Sequence, residues 1–109
     1  MENQNEIESG KKIAIVSYIL FVGVLIAMSM NSDEKNKFAS FHIRQSLGLT
    51  ILFLSLGLIS SNFNNPWITF SFWIAISVLW VFGIFGAVKG EKAIVPIVGE
   101  PFQKIFKNL

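Results

Sequence analysis

The chain has 109 residues, 52% hydrophobic and 15% charged, with a formal charge of +2 and no cysteine. That length allows one domain, and the missing cysteines exclude disulfides, thiolate chemistry and cysteine-based metal sites. The low charge fraction, against about 25% in a typical soluble domain, matters mostly through its distribution, because long windows carry no charge at all.

The first such window is 13–30, "IAIVSYILFVGVLIAMSM". A bilayer core takes about 20 mostly apolar residues of helix, with a range near 17–25, so this window reads as a transmembrane span. A buried helix of a soluble bundle would still show a charged stripe toward water, and none is visible on any face. A secretory signal needs a basic leading region; here Glu2, Glu6 and Glu8 outnumber Lys11 and Lys12, so the window reads as a retained helix. The following segment, "NSDEKNK", is a solvated turn in which Ser32 or Asp33 is expected to cap the next helix.

The second window, Leu47 to Ser61, is short alone and becomes a span over 38–61 if Phe38 to Ser46 leads into it. On a wheel at 100° per residue His42 and Ser46 share a face with Gln45 beside them, while Arg44 points the opposite way with Lys37 and Gly48. Arg44 is expected to snorkel toward headgroups. His42 and Gln45 are expected to hydrogen-bond inside the bundle or to a partner, since polar residues at membrane depth need satisfaction and are functional candidates. Phe41, His42, Arg44, Gln45 and Gly48 form the candidate interaction motif. A proton relay finds little support, because His42 has no carboxylate within a span to work with.

"SSNFNNPW" then makes a tight turn, with Pro66 suited to the first turn of a third span over 67–88 and Trp67 at the interface. Trp73 and Trp80 lie deeper, as packing or lipid-facing residues. Ser46, Thr50 and Gly57 with Ala39 form a narrow sector of small residues on the second span, and Gly83, Gly86, Ala87 and Gly90 end the third. Small residues let helix backbones approach in lipid, so these are candidate packing positions, within one chain or between copies in a homo-oligomer.

From 91 to 109 the chain is Gly- and Pro-punctuated and then reads as a short amphipathic interfacial helix beginning near Pro101. Phe102, Ile105, Phe106 and Leu109 recur on one face, with Lys104 and Lys107 among the polar positions, a pattern suited to an anionic membrane surface or a docking partner. The alternative is that this face packs on the protein's own helix ends. Three spans would put Lys11 and Lys12 on one side and Lys35, Lys37, Arg44, Lys89, Lys92, Lys104 and Lys107 on the other. The positive-inside bias then expects the N-terminus outside and the tail in the cytoplasm.

"FHIRQSLGL" resembles the Phe-His-x-Arg-Gln-x-Leu-x-Leu signature of small bacterial membrane proteins of unknown function, which are similar to the twenty-kilodalton component of the chloroplast inner-envelope import machinery. Ala14, Ser17 and Tyr18 resemble the start of that family, and Gly86, Ala87, Gly90, Pro96 and Gly99 its ending. The resemblance implies an α-helical multispan protein of the bacterial inner membrane linked to protein translocation.

The expectation is thus an all-α integral membrane protein with three spans and an interfacial tail. It has no catalytic residues, cofactor or metal, and its partners are membrane lipids and a larger membrane complex, not nucleic acid. The leading function is an accessory subunit in protein translocation or insertion. The alternatives are a homo-oligomeric pore or small transporter, and a lipid-surface organising protein.

Overall fold

A computed structural model describes residues 4–107. Five α-helices are present among them and no strand: α1 Gln4–Ser17, α2 Leu20–Glu34, α3 Lys37–Ser60, α4 Pro66–Lys89 and α5 Gly99–Ile105. The all-α expectation holds. Two helices, α3 and α4, are long and apolar enough to cross a membrane.

The expected first span over 13–30 is not one helix. α1 has 14 residues and α2 has 15, about 21 and 23 Å each, well short of a bilayer core of about 30 Å. The chain reverses at Tyr18 and Ile19. α1 closes with Tyr18 N–H donating to Ile15 O and Ile19 N–H to Val16 O, the tight spacing of a frayed last turn. The carbonyl of Tyr18, freed from the helix, accepts a 2.8 Å hydrogen bond from Trp80 Nε1. Gly23 makes the reversal sterically feasible, because a Cβ there would lie 2.3 Å from Val16 O. α1 and α2 therefore form a short antiparallel hairpin. Ile13 of α1 and Ala27 of α2 are buried against Ala39 and Ile43 of α3.

This hairpin puts the start of α1 beside the first loop and the tail, where the expected single span over 13–30 would separate them. Asn36, which begins α3, donates from Nδ2 to Glu6 O at 2.8 Å and to Ser9 Oγ at 3.0 Å. A Cβ on Gly90, at the end of α4, would sit 3.0 Å from Ile7 Cγ2. The start of α1, the α2–α3 loop, the end of α4 and the tail all gather at one end of the molecule. The nine Lys and Arg lie in α1, the α2–α3 loop, the first two turns of α3, the end of α4 and the tail, and the α3–α4 turn carries none.

Asn36, rather than Ser32 or Asp33, caps α3, its side chain accepting from Ala39 N–H at 3.0 Å. The reason is where the helix starts: Lys37 opens it, so only Asn36 stands at the capping position. The α3–α4 connection follows expectation: Asn65 accepts from Trp67 N–H and Pro66 opens α4. α4 ends in a Schellman turn, with Glu91 N–H to Gly86 O, Gly90 N–H to Ala87 O, and Gly90 at φ 76°.

α3 is the central helix. Its residues from Phe38 to Thr50 are mostly buried, packed by α1, α2, α4 and the tail. Beyond Thr50 it leaves the bundle with α4, and Ile51, Leu54, Leu58 and Ile59 are exposed. α4 buries only Ile76, Gly83, Gly86 and Ala87. The result is a five-helix base from which a two-helix hairpin projects, 49 Å long and 22 Å across.

Candidate functional site

The base is organised around the first turns of α3. His42 and Gln45 are fully buried there, beside Tyr18 at the tip of the α1–α2 hairpin. Donor and acceptor roles follow from which atoms can only accept. His42 Nε2 lies 2.8 Å from the carbonyl of Glu91, so it carries the hydrogen and donates. Gln45 Nε2 donates to Tyr18 Oη at 2.9 Å. The Tyr18 hydroxyl then gives its own hydrogen to His42 Nδ1, 2.7 Å away. Gln45 uses its second amide hydrogen on Ala93 O at 3.1 Å, and its Oε1 accepts from Val95 N–H at 2.9 Å.

Every side-chain polar atom of Tyr18, His42 and Gln45 has a partner, the condition under which buried polar groups are tolerated and specify one arrangement. The rings of Phe38, Phe41 and Tyr18 meet the imidazole edge-on, with centroids 4.9, 5.1 and 5.5 Å from it. The network starts and ends on backbone carbonyls, which accept hydrogen bonds and do not pass protons on. Its work is to hold three pieces of chain together: the hairpin tip, α3, and the segment 91–95.

Arg44 turns away from this network toward the tail. Its guanidinium donates to Gln103 Oε1 at 3.4 Å and to the carbonyl of Lys107 at 3.2 Å, while Nε is buried without a partner. Gln103 Nε2 in turn donates to Phe41 O at 2.8 Å. Gly48, one turn along α3 from Arg44, receives the ring of Phe102, whose Cγ would lie 2.2 Å from a Cβ on Gly48. The tail helix is thus seated on α3 by Phe102, whereas Ile105 is exposed and Phe106 half-buried. Lys104 and Lys107 face solvent, and Leu109 lies outside the described residues.

The small residues have separate neighbours. Gly83 receives the Tyr18 ring, Gly86 faces Ala93 and His42, and Ala87 joins the core of Ala14, Tyr18, Phe38 and Leu49. Ser46 and Thr50 are buried, their hydroxyls turned back onto Ile43 O and Ser46 O. Gly57 faces open space.

A second polar cluster at the basic end escaped the sequence reading. Asn31 Oδ1 accepts from Asn36 N–H at 2.9 Å and Asn31 Nδ2 donates to Ser40 Oγ at 2.9 Å, while Asn36 ties the loop to α1. Gly10 leaves room for it: a Cβ there would collide with the Asn36 amide. The available signal was two asparagines bracketing a charged turn, opposite a glycine in an otherwise helical run.

Two of the cavities on the outer surface lie against the base. One, of about 580 Å³, runs along α4 against the segment after it; the other, of about 340 Å³, lies above the hairpin tip between Tyr18, Phe53, Trp73 and Trp80. Among the described residues no group of three or more His, Asp or Glu could hold a metal ion. No family model matches the chain, and no curated protein and no solved structure matches it.

Proposed function

We propose that this chain is a two-span protein of the bacterial cytoplasmic membrane that acts without catalysis, as an accessory subunit docking to a larger membrane complex that translocates or inserts proteins. The observation that carries the reading is the division of its surface. His42, Gln45, Ser46 and Thr50 of α3 are consumed inside the base, while the outward faces of α3 and α4 expose Ile51, Leu54, Leu58, Phe70, Val78 and Phe85. Such a surface suits acyl chains and the transmembrane helices of a partner. Residues 67–88 of α4 rise about 32 Å, close to the thickness of a hydrocarbon core of about 30 Å. The translocation role comes from the resemblance carried by "FHIRQSLGL".

In this reading the basic end is cytoplasmic and holds the start of α1 and the tail helix, because all nine Lys and Arg gather there. The α1–α2 hairpin then enters one leaflet only. Its tip meets Trp80, nine residues before Lys89 and about 14 Å deep.

Single-cysteine variants test the topology in a chain that has no cysteine of its own. Asn5→Cys and Lys104→Cys are expected to resist a membrane-impermeant maleimide in intact cells, and Asn64→Cys to react. Labelling of Asn5→Cys alongside Asn64→Cys would overturn the two-span arrangement. A photoreactive residue at Phe70 tests the partner. Crosslinking to a defined membrane complex supports the subunit role, and crosslinking only to itself or to lipid counts against it.

A further inference from the structure

The cavity of about 580 Å³ is a groove whose lining runs along one face of α4 from Ser77 to Lys89 and is closed on one side by Glu91 and Ala93. Its floor is apolar, built from Val78, Val81, Phe82 and Phe85. Its two charged lining residues, Lys89 and Glu91, both lie at the basic end of α4, with the Lys89 ammonium 5.2 Å from the Phe85 ring centroid. The twelve steps from Ser77 to Lys89 rise about 18 Å, against about 15 Å for half of a hydrocarbon core. The groove therefore has the length of one leaflet, apolar along its run and charged at one mouth.

We propose that this groove is a binding site for one phospholipid whose headgroup carries both a phosphate and an amine. One acyl chain lies along Val78, Val81, Phe82 and Phe85. The phosphate meets Lys89 and the headgroup ammonium meets Glu91. Charge and length together select this occupant: a phosphate for the lysine, an amine for the glutamate, and an acyl chain over an apolar run one leaflet long. The wall of the site depends on the buried network. His42 holds the Glu91 carbonyl and Gln45 holds that of Ala93, so the two polar residues of α3 position the groove without touching its occupant.

The proposal rests on the membrane reading, and the two fail differently. Flotation of the full chain with membranes after alkaline washing tests the membrane reading. Native mass spectrometry of the detergent-purified chain, offered equal amounts of phosphatidylethanolamine and phosphatidylglycerol, tests the groove. One retained phospholipid is expected, with phosphatidylethanolamine favoured by up to about fivefold, the most an exposed ion pair supplies. Glu91→Gln should bring that ratio to parity, and Lys89→Gln should lower retention of both lipids. Val81 is 57% exposed, so Val81→Trp fills the groove without entering the core and should abolish retention while thermal unfolding stays unchanged. Undiminished retention in Val81→Trp, or a ratio indifferent to Glu91→Gln, overturns the site even if the protein floats. A dimer that Val81→Trp dissociates would assign the groove to a second copy instead and also overturn it. A chain that does not float removes both readings.

Discussion

His42 Nε2 donates to the backbone carbonyl of Glu91 at 2.8 Å, across 49 positions of sequence. A side chain in the second turn of α3 thereby fixes the first residue after the turn that ends α4, and with it the course of the tail. The same imidazole accepts from Tyr18 at the hairpin tip, so one buried ring joins the α1–α2 hairpin and the start of the tail to the central helix.

Replacing that ring should loosen the tail before it disturbs the long helices. His42→Ala leaves the Tyr18 hydroxyl without an acceptor and the Glu91 carbonyl without a donor, each costing about 1–3 kcal/mol when buried. The expected result is a lower midpoint of thermal unfolding in detergent together with faster tryptic cleavage after Lys89 and Lys92. Cleavage at the wild-type rate would mean that the tail is held by its other contacts alone.

Gly48 and Phe102 form a pair that a double-mutant cycle can resolve. A Cβ at Gly48 would lie 2.2 Å from Phe102 Cγ, so Gly48→Ala must push the tail helix off α3. The cost expected of such overpacking is about 1–3 kcal/mol. In the background of Phe102→Ala the same substitution should cost much less, and additive effects would show that the two residues do not touch.

Two glycines in the long helices should respond in opposite ways. Gly83→Ala drives a methyl to 2.6 Å from Tyr18 Cε1 and should destabilise the fold by displacing the hairpin tip. Gly57→Ala meets nothing within 4 Å and should be neutral or stabilising by up to about 1 kcal/mol, from helix propensity. Comparable losses in both variants, measured by unfolding in the same detergent, would contradict the placement of the hairpin against α4.

Asn36 carries two separable roles. Asn36→Ser keeps a capping acceptor for Ala39 N–H but loses the amide hydrogens given to Glu6 O and Ser9 Oγ. Asn36→Ala loses both. Loss of the cap alone is expected to cost about 0.5–2 kcal/mol, so the alanine variant should unfold at the lower temperature of the two. Equal midpoints would place the whole effect in the clip to α1.

How much of this was legible beforehand depends on whether the cause was local. Charge-free runs marked α3 and α4, and "NNPW" marked the turn between them, because helix length in lipid and turn chemistry are set by neighbouring residues. The helical wheel separated Arg44 from His42 by face, and in the fold Arg44 turns to the tail while His42 turns to Tyr18. The run 13–30 looked like the other two because hydropathy sums composition over a window and is blind to direction. Its break at Tyr18 and Ile19 carries no proline. It is fixed by Trp80, 62 positions away, donating to the Tyr18 carbonyl, and by the close approach of Gly23 to Val16. The sequence by itself thus determined which segments are helical and apolar. Only the tertiary structure decided that the first of them folds back on itself and brings every basic residue to one end, because a buried carbonyl goes wherever a donor can reach it.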